Sequence, residues 1–389
     1  MSPRLAALAL DWLISLAAIA IYVYGTIKAR KSVRALRPLD KLELQRPVTV
    51  IVPARNEESR IRWLAESLSR VPVSDVILVD DQSNDRTVEV AMSYLRGTRL
   101  RVIRVDGTPW GWLPKPYAVE LGASRAGISS SLLFLDADVS GDLGPVLAAA
   151  SSVRPGELVA FEPRFTCTSG LCRLTQPFLT SIVHGFFGFD RALNPRDRHS
   201  MMFGCCWSID PYSFWESGGM AQVRQSVVED RTLAVKLKER GFRLTAYDAR
   251  EHLRVMSWDD AGQFVNLVRR VSYSAAAGMS MPSYLAFSAG VALLMLWPFA
   301  AIPMALLGPF AALGPLLTYA AQAAFAAVGQ RVEGISGAWF LASPLAGALV
   351  TWGFISSRLR PISWKGRLLG QVQGNSQALE RNPVTVNQY

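Results

Sequence analysis

The stretch VTVIVPARNEE, residues 48–58, decides the fold. Its apolar, β-branched first half, Val48–Pro53, is typical of a buried strand, and polar residues follow directly. The amphipathic stretch Glu57–Ser69 then predicts a helix. The alternation of strand and helix continues along the chain, at 76–80, 87–95, 100–105, 115–125 and 132–135. This spacing predicts an α/β fold, in which helices cover both faces of a mostly parallel sheet.

The composition indicates a membrane protein rather than a nucleic-acid-binding protein. Half of the 389 residues are hydrophobic and the formal net charge is +10, while the mean hydropathy is +0.20. The basic residues collect at the ends of apolar stretches, which is the usual pattern at a membrane border. They favour contact with anionic lipid headgroups, so a lipid bilayer is an expected partner and a nucleic acid is not. The two basic groups are Lys28, Arg30, Lys31, Arg34, Arg37 and Lys41, and Arg358, Arg360, Lys365 and Arg367.

Apolar segments lie near both ends of the chain. The segment Leu5–Thr26 carries Asp11 as its one charge, so residues 1–27 are predicted to form a transmembrane anchor, followed by a basic juxtamembrane linker at 28–47. A cleaved signal peptide is the alternative, but no small-residue cleavage site precedes the basic flank. Residues 271–357 contain uncharged runs long enough for two to three passes, and a basic and polar tail is expected at 358–389.

The positive-inside rule gives an expected orientation. The basic run at 28–41 places the predicted domain, residues 48–270, on the cytoplasmic side of the cell membrane. Three full passes after Arg270 would put the basic tail on the opposite side, against the same rule. One C-terminal segment would then be re-entrant or interfacial, and the sequence does not say which.

Acidic residues follow three of the predicted strands, at the edge where open α/β sheets bind ligands. Asp136 and Asp138 are two apart, so on an extended chain both carboxylates point to one side. A cation would relieve their repulsion and accompany the charges of a nucleoside diphosphate, which predicts Mg²⁺ or Mn²⁺. The alternative is a pair of solvated aspartates at a strand end. The polar residues after the first two strands include Arg55, Asn56, Glu57, Asp80 and Asp81.

Asp80 and Asp81 have two possible roles. Their carboxylates can accept hydrogen bonds from a nucleotide base or ribose. They can equally belong to a helix-capping cluster with Asn84 and Asp85, since Asp85 stands where a helix N-cap is expected.

Three further sets of residues are candidates for chemistry. Lys115 lies between two prolines and is expected to face an anionic ligand, unless it is a surface lysine. Glu229 and Asp230 open an amphipathic stretch, where they act either as a general base or as partners of the helix dipole. Arg269 and Arg270 precede the uncharged region, and they are either a cationic clamp on a departing diphosphate or interfacial anchors.

Several common motifs are missing from the sequence. It contains no GxGxxG after the first strand, no GxxxxGK[ST] and no GxSxG. Cys167, Cys172, Cys205 and Cys206 fit no zinc pattern, so they are expected to be small buried hydrophobic residues; a disulfide has no support from the spacing.

Four segments together resemble the family 2 glycosyltransferases. They are VIVPARNEE at 50–58, VDDQS at 79–83, Asp136-Ala137-Asp138, and EDRTLA at 229–234, and both their order and their spacing fit. The apolar anchors and the segment WKGR at 364–367 resemble the membrane subgroup that glycosylates lipids, such as ceramide glucosyltransferases and hopanoid- or carotenoid-associated enzymes.

The resemblance implies a GT-A fold, a nucleoside diphosphate sugar donor (a UDP- or GDP-sugar) and inversion at the anomeric carbon. It implies donor binding by the loop Pro53–Glu57 and Asp81, metal and phosphate contact through Asp136 and Asp138, and Asp230 as the base. The QxxRW motif of processive relatives is missing from the segment QFVNLVRR, 263–270, which favours transfer of a single sugar. A lipid hydroxyl is the expected acceptor. The alternatives are a polyprenyl phosphate acceptor and a non-catalytic membrane subunit that binds a nucleotide sugar or a lipid.

Overall fold

The computed structural model describes residues 2–39, 42–128, 130–276, 278–359, 363–364 and 367–368. Most of the predicted tail at 358–389 lies outside the described residues, as do Lys41, Arg360, Lys365 and Gly366. The strands, in chain order, are β1 Arg37–Pro38, β2 Val48–Ala54, β3 Asp75–Asp80, β4 Leu100–Arg104, β5 Ser131–Leu135, β6 Val139–Gly141, β7 Glu157–Glu162, β8 Arg164–Thr166, β9 Cys206–Ile209, β10 Arg243–Asp248, β11 Leu253–Met256, β12 Ser363–Trp364 and β13 Arg367–Leu368.

The helices predicted within the α/β domain agree with the observed ones to within about two residues. In chain order the observed helices are α1 Pro3–Ala35, α2 Glu58–Ser69, α3 Thr87–Tyr94, α4 Pro114–Ala123, α5 Gly144–Ser151, α6 Gly170–Phe187, α7 Phe189–Ala192, α8 Pro211–Glu216, α9 Glu229–Glu239, α10 Ala261–Ala276, α11 Met281–Leu296, α12 Ala301–Ala305, α13 Pro309–Glu333 and α14 Ser343–Ser356. Short 3₁₀ helices span Gly219–Val223, Trp297–Ala300 and Trp339–Ala342.

The central sheet has eight strands in the order β1-β10-β7-β9-β5-β2-β3-β4. Its strand pairs are parallel except at β9, which runs antiparallel to both β5 and β7. A smaller sheet has the order β6-β11-β8 and begins one residue after Asp138. The predicted α/β architecture, with a mostly parallel sheet, is therefore confirmed.

Helices cover both faces of the central sheet, because alternate side chains of each strand point to opposite faces. On β2, Val50 and Val52 pack in one core with Leu64 of α2. Ile51 points the other way and packs with Val119 of α4. α4 lies so close to the sheet that a Cβ atom at Gly122 would sit 2.5 Å from the Ile51 side chain.

Within the described part of the chain, four helices are long enough and apolar enough to span a membrane: Arg4–Ala35, Met281–Ala305, Pro309–Glu333 and Trp339–Ser356. α1 continues to Ala35, so the first basic group lies largely on this helix rather than in a separate linker.

The long apolar helices α1, α11, α13 and α14 pack in one core with α6 and α10. Phe325 of α13 packs against Tyr22 of α1 and Phe178 of α6, with ring centroids 5.7 and 6.0 Å apart. The expectation for the cysteines holds only in part. Cys205 and Cys206 are buried free thiols, but Cys167 and Cys172 form a disulfide at the start of α6, where the turn into the helix brings them together.

Candidate active site

The loops after β2 and β3 interlock at the carboxyl edge of the sheet. The Arg55 guanidinium donates to the carbonyl of Asp81 at 2.6 Å and lies 4.0 Å from its carboxylate. The Asn56 backbone N–H donates to Ser83 Oγ at 3.0 Å. Asn56 and Gln82 have positive φ angles of 50° and 58°, which place both residues in the left-handed region. The two predicted donor-binding loops therefore form one unit.

Asp80 and Asp85 stabilise these loops from within, as the capping alternative predicted. Asp80 is buried and accepts from the Ser83 N–H at 3.0 Å. Asp85 accepts from the N–H groups of Glu58 at 3.0 Å and Thr87 at 3.1 Å, so one carboxylate serves the starts of α2 and α3. Burial raises the pKa of Asp85, but its hydrogen bonds outweigh that effect and lower it.

The chain turns between Asp136 and Asp138, because the Val139 N–H donates back to the Asp136 carbonyl at 3.2 Å. The extended geometry assumed from the sequence is therefore wrong. The two carboxylates also have different neighbours. Asp136 lies 2.9 Å from the Lys115 ammonium, whereas the Asp138 carboxylate lies 4.0 Å from the Arg60 guanidinium on α2.

Asp138 is the second aspartate of this turn, and its side chain is only partly exposed. Its Oδ1 atom is buried and accepts no hydrogen bond within the described part of the chain. Burial and then the charges of Asp136 and Glu57 raise the pKa of Asp138 to about 7, against the opposing effects of Arg60 and Lys115. A cation beside this carboxylate would relieve the repulsion, so the donor set fits a divalent metal.

Lys115 joins the end of β5 to the start of α9. Its ammonium lies 2.9 Å from Asp136 and 3.2 Å from Glu229. Burial opposes the charge of this lysine, but Asp136 and Glu229, together with Asp230, raise its pKa well above the usual value. The surface-lysine alternative is therefore wrong, because the side chain is only 23% exposed and faces the acidic cluster.

Asp230 lies beside this pair, in the first turn of α9. Its carboxylate accepts from the backbone N–H of Gly204 at 2.9 Å and of Arg231 at 2.7 Å. Burial, followed by the charge of Glu229, raises the pKa of Asp230 to about 6, against the opposing effects of Lys115 and the two N–H groups. A Cβ atom at residue 204 would sit 2.8 Å from Asp230, so a glycine is required for this close approach.

A small cavity of about 10 Å³ lies among these groups. Asp136, Glu229 and Asp230 line it together with Lys115 and Pro53. Apolar side chains complete the lining: Val119, Phe134, Leu135, Met202, Trp207 and Met220. The cavity therefore brings a cation, carboxylates and apolar side chains together.

Arg269 and Arg270 lie elsewhere, on α10. Arg269 is buried and donates to Asn266 one turn earlier at 3.0 Å. Neither arginine is among the described residues that line the cavity. Arg60 and Gly204 belong to the site region and were missed, because neither forms part of a recognisable sequence motif.

The fold is GT-A-like, with a mostly parallel sheet. Residues 49–151 match the family model described as Glycosyl transferase family 2. The family resemblance predicted from the sequence is confirmed.

Curated relatives match about a quarter of the chain. A 4,4'-diaponeurosporenoate glycosyltransferase of Staphylococcus haemolyticus (strain JCSC1435) is 42% identical over 98 residues, which are 25% of each chain. The enzyme of the same name from Staphylococcus aureus (strain USA300) is 43% identical over 95 residues, 24% of each chain. The match thus spans about a quarter of these relatives.

A solved structure extends the similarity of fold to the whole domain. The mannosyltransferase PcManGT from Pyrobaculum calidifontis, in complex with GDP-Man and Mn²⁺, has a TM-score of 0.52 and covers 90% of this chain and 99% of its own. Its sequence identity is 15%, so the likeness concerns the fold.

Proposed function

We propose that the chain is a membrane glycosyltransferase that moves a single sugar from a nucleoside diphosphate sugar to a membrane lipid, with a divalent metal and with inversion. The observation that supports this best is the half-buried cluster in which Lys115 joins Asp136 and Glu229 beside Asp230. At the carboxyl edge of the sheet, the ammonium can attract the phosphates of such a donor and the carboxylates can attract its metal ion. The relatives, which are named glycosyltransferases, support the same assignment.

Asp138 and Asp136 are the proposed residues for Mg²⁺ or Mn²⁺. The buried Oδ1 atom of Asp138, which has no hydrogen-bond donor among the described residues, supports this assignment. No group of three or more His, Cys, Asp or Glu side chains suited to a metal occurs in the described residues. Phosphate oxygens and water would complete the coordination, as Mg²⁺ generally prefers. A bound metal would neutralise negative charge on the diphosphate.

The interlocked loops after β2 and β3 are the proposed nucleotide site. Pro53 reaches the cavity, and Asn56, Glu57 and Asp81 lie in the loops beside it. Arg55 and Asp80 hold the two loops together. Lys115 is placed to balance the negative charge that grows on the departing diphosphate.

Asp230 is the proposed general base, with Glu229 beside it. A raised pKa near 6 suits a group that must accept a proton near neutral pH. An oxygen of the acceptor forms a bond to the anomeric carbon as the bond to the diphosphate breaks. The electron pair leaves with the diphosphate, and the hydroxyl proton moves to Asp230. Attack from the opposite face inverts the configuration.

The acceptor is proposed to be a lipid hydroxyl, because a hydroxyl must give its proton to a base such as Asp230. An anionic acceptor needs no base. The second candidate is a lipid carboxylate or phosphate. The name of the relatives contains the word diaponeurosporenoate, which denotes a carboxylate ion, and this supports the second candidate.

The variant D230N tests which acceptor is used. Loss of turnover by about 10²-fold or more, with folding intact, supports a hydroxyl acceptor, and near-normal turnover supports an anionic one. D210N is the matched control, because Asp210 is a buried aspartate that caps α8 and does not line the cavity.

The third candidate, a non-catalytic binding subunit, is less favoured, because a pure binder needs no buried base beside its cation site. Purified protein that transfers sugar, and a D138A variant that does not, would exclude this candidate.

The membrane helices support a topology with the domain on the cytoplasmic side. α1 and α13 run parallel, since Trp12 packs on Phe310 near their starts and Tyr22 on Phe325 further along. Both helices end at the α/β domain, where Lys28 pairs with Asp190 and Glu333 accepts from the Phe165 N–H.

The end of α14 lies beside the start of α11. Arg358 donates to the carbonyl of Met279 at 2.9 Å, and the Tyr284 hydroxyl donates to the carbonyls of Phe354 and Ile355. Residues 279 and 358 therefore lie on one side of the membrane, and the chain between them crosses an even number of times. We infer that Met281–Ala305 and Pro309–Glu333 cross and that α14 does not. Arg358 then faces the cytoplasm, as the positive-inside rule requires.

For Arg269 and Arg270 we favour the role of membrane-border cations over the diphosphate clamp. α10 packs against α14, where a Cβ atom at Gly353 would touch Val268. The arginines therefore lie beside the helix that we place at the membrane border.

A further inference from the structure

Glu333, the last residue of α13, is a buried carboxylate at the junction of the membrane helices and the α/β domain. It is 3% exposed. It accepts from the backbone N–H of Phe165 at 2.8 Å and from the Thr180 hydroxyl at 2.6 Å. A membrane helix thus holds β8 and α6 through one side chain, although Glu333 lies outside the cavity.

A path of backbone pairing leads from β8 to the turn that carries Asp136 and Asp138. On β11, Val255 pairs with Phe165 of β8 on one side and with Val139 of β6 on the other. The Met256 N–H then donates to the Asp138 carbonyl at 3.3 Å. The small sheet therefore fixes the backbone of the proposed metal-binding residue.

A second path leads from the same residue to the proposed base. The Phe165 ring packs on the Phe203 ring, with centroids 5.6 Å apart. Phe203 directly precedes Gly204, whose N–H donates to the Asp230 carboxylate at 2.9 Å. The strand that Glu333 anchors therefore supports both halves of the site.

We propose that Glu333 is a positioning residue for sugar transfer, which holds β8 so that the Asp138 turn and the Gly204–Asp230 contact keep their geometry. This inference rests on the proposed function for its catalytic consequence. The physical reason is that catalytic groups must be held within a fraction of an ångström, and a short three-stranded sheet is not rigid by itself. The site is thereby coupled to the membrane helix.

The test compares E333A with Q330A in the full-length protein in nanodiscs. Gln330 is the matched control, because it lies one turn earlier and makes its three side-chain hydrogen bonds to the segment after α13: Ile335, Gly337 and Phe340. Hydrogen–deuterium exchange is followed at the amides of Met256 and Gly204. Transfer is measured on lipid extract with UDP- and GDP-sugars and Mn²⁺.

E333A is expected to raise exchange at both amides and to lower kcat, each by about tenfold, while Q330A changes neither by more than about twofold. E333Q should restore most of the loss, since its amide oxygen still accepts from Phe165. If E333A does not fold, T180V, which removes one donor to Glu333, should shift the same readouts more weakly.

Unchanged exchange at Met256 and Gly204 in E333A, or equal changes in Q330A, overturns the inference. Failure of the proposed function is a separate result, because it appears as lack of transfer by the wild-type protein. In that case the exchange data still decide whether Glu333 positions the two backbone segments.

Discussion

The Lys115 ammonium lies 2.9 Å from the Asp136 carboxylate and connects two segments that are far apart in sequence. Its second contact, with Glu229 at 3.2 Å, ties α4 to α9. The side chain is therefore both a bridge within the fold and the cation of the proposed donor site.

Replacing Lys115 with methionine should lower both stability and activity. The carboxylates of Asp136 and Glu229 would face each other without a cation, so the free energy of unfolding should fall by about 1–3 kcal/mol. Sugar transfer should fall by about 10²-fold or more, as for the loss of a charge that stabilises a leaving group. Thermal unfolding and initial rates measure the two effects. K238M is the control, since Lys238 donates to carbonyls of Ala192 and His199 away from the cavity; equal losses in K238M would contradict the special role of Lys115.

Replacing Asp138 with asparagine should stabilise the metal-free protein while abolishing transfer. The carboxylate has a pKa near 7, raised mainly by burial, so at pH 8 it is largely ionised at a cost that the amide avoids. In the presence of a chelator, the free energy of unfolding of D138N should therefore be about 1–3 kcal/mol higher than that of the wild type. Mn²⁺ at 100 times its dissociation constant should stabilise the wild type by about 2.7 kcal/mol and leave D138N unchanged. A similar Mn²⁺ effect on both proteins would argue against metal binding by Asp138.

Sugar transfer should fall as the pH drops below about 6. Asp230 must be ionised to accept a proton, and its pKa is raised to about 6 by burial and by Glu229. Below that value the rate should decrease by about tenfold per pH unit, provided that the protein stays folded. The rate of D230N should lack this acid limb. A wild-type profile that stays flat down to pH 5 would show that no base with this pKa is used.

Cysteines placed at two exposed leucines should report opposite sides of the membrane. Leu307 lies between α12 and α13, and Leu359 follows α14; they are 63% and 66% exposed. In intact cells, a maleimide that does not cross membranes should label L307C and not L359C. Labelling of L359C from outside would mean that α14 crosses the membrane.

The first half of the sheet could be predicted from sequence because each of its strands is a local apolar run. β2, β3, β4 and β5 were predicted within one or two residues. β6, β8, β9 and β11 have only three or four residues each, and their pairing is non-local, so hydrophobic periodicity does not reveal them. The antiparallel insertion of β9 between β5 and β7 depends on the tertiary fold alone.

The residue types of the candidate site could be predicted from the sequence, but the directions in which the chain and several side chains point could not. The chain turns at Asp136, and Arg55 points toward Asp81. The turn is held by a local hydrogen bond from the Val139 N–H, which the extended pattern of the sequence does not reveal. The orientation of Arg55 depends on a contact with a residue 26 positions away in sequence. The link from Glu333 to Phe165 spans 168 residues, and no sequence pattern marks it.

One measurement tests the central claim most directly. Purified protein is incubated with Mn²⁺, a set of UDP- and GDP-sugars and a membrane lipid extract, and the lipids are analysed by mass spectrometry beside D138A and D230N. A lipid that gains one hexose with the wild type, and is lost or strongly reduced with both variants, is the expected result. Wild-type reactions without any glycosylated lipid, or an equal yield from D138A, would contradict sugar transfer at this carboxylate cluster.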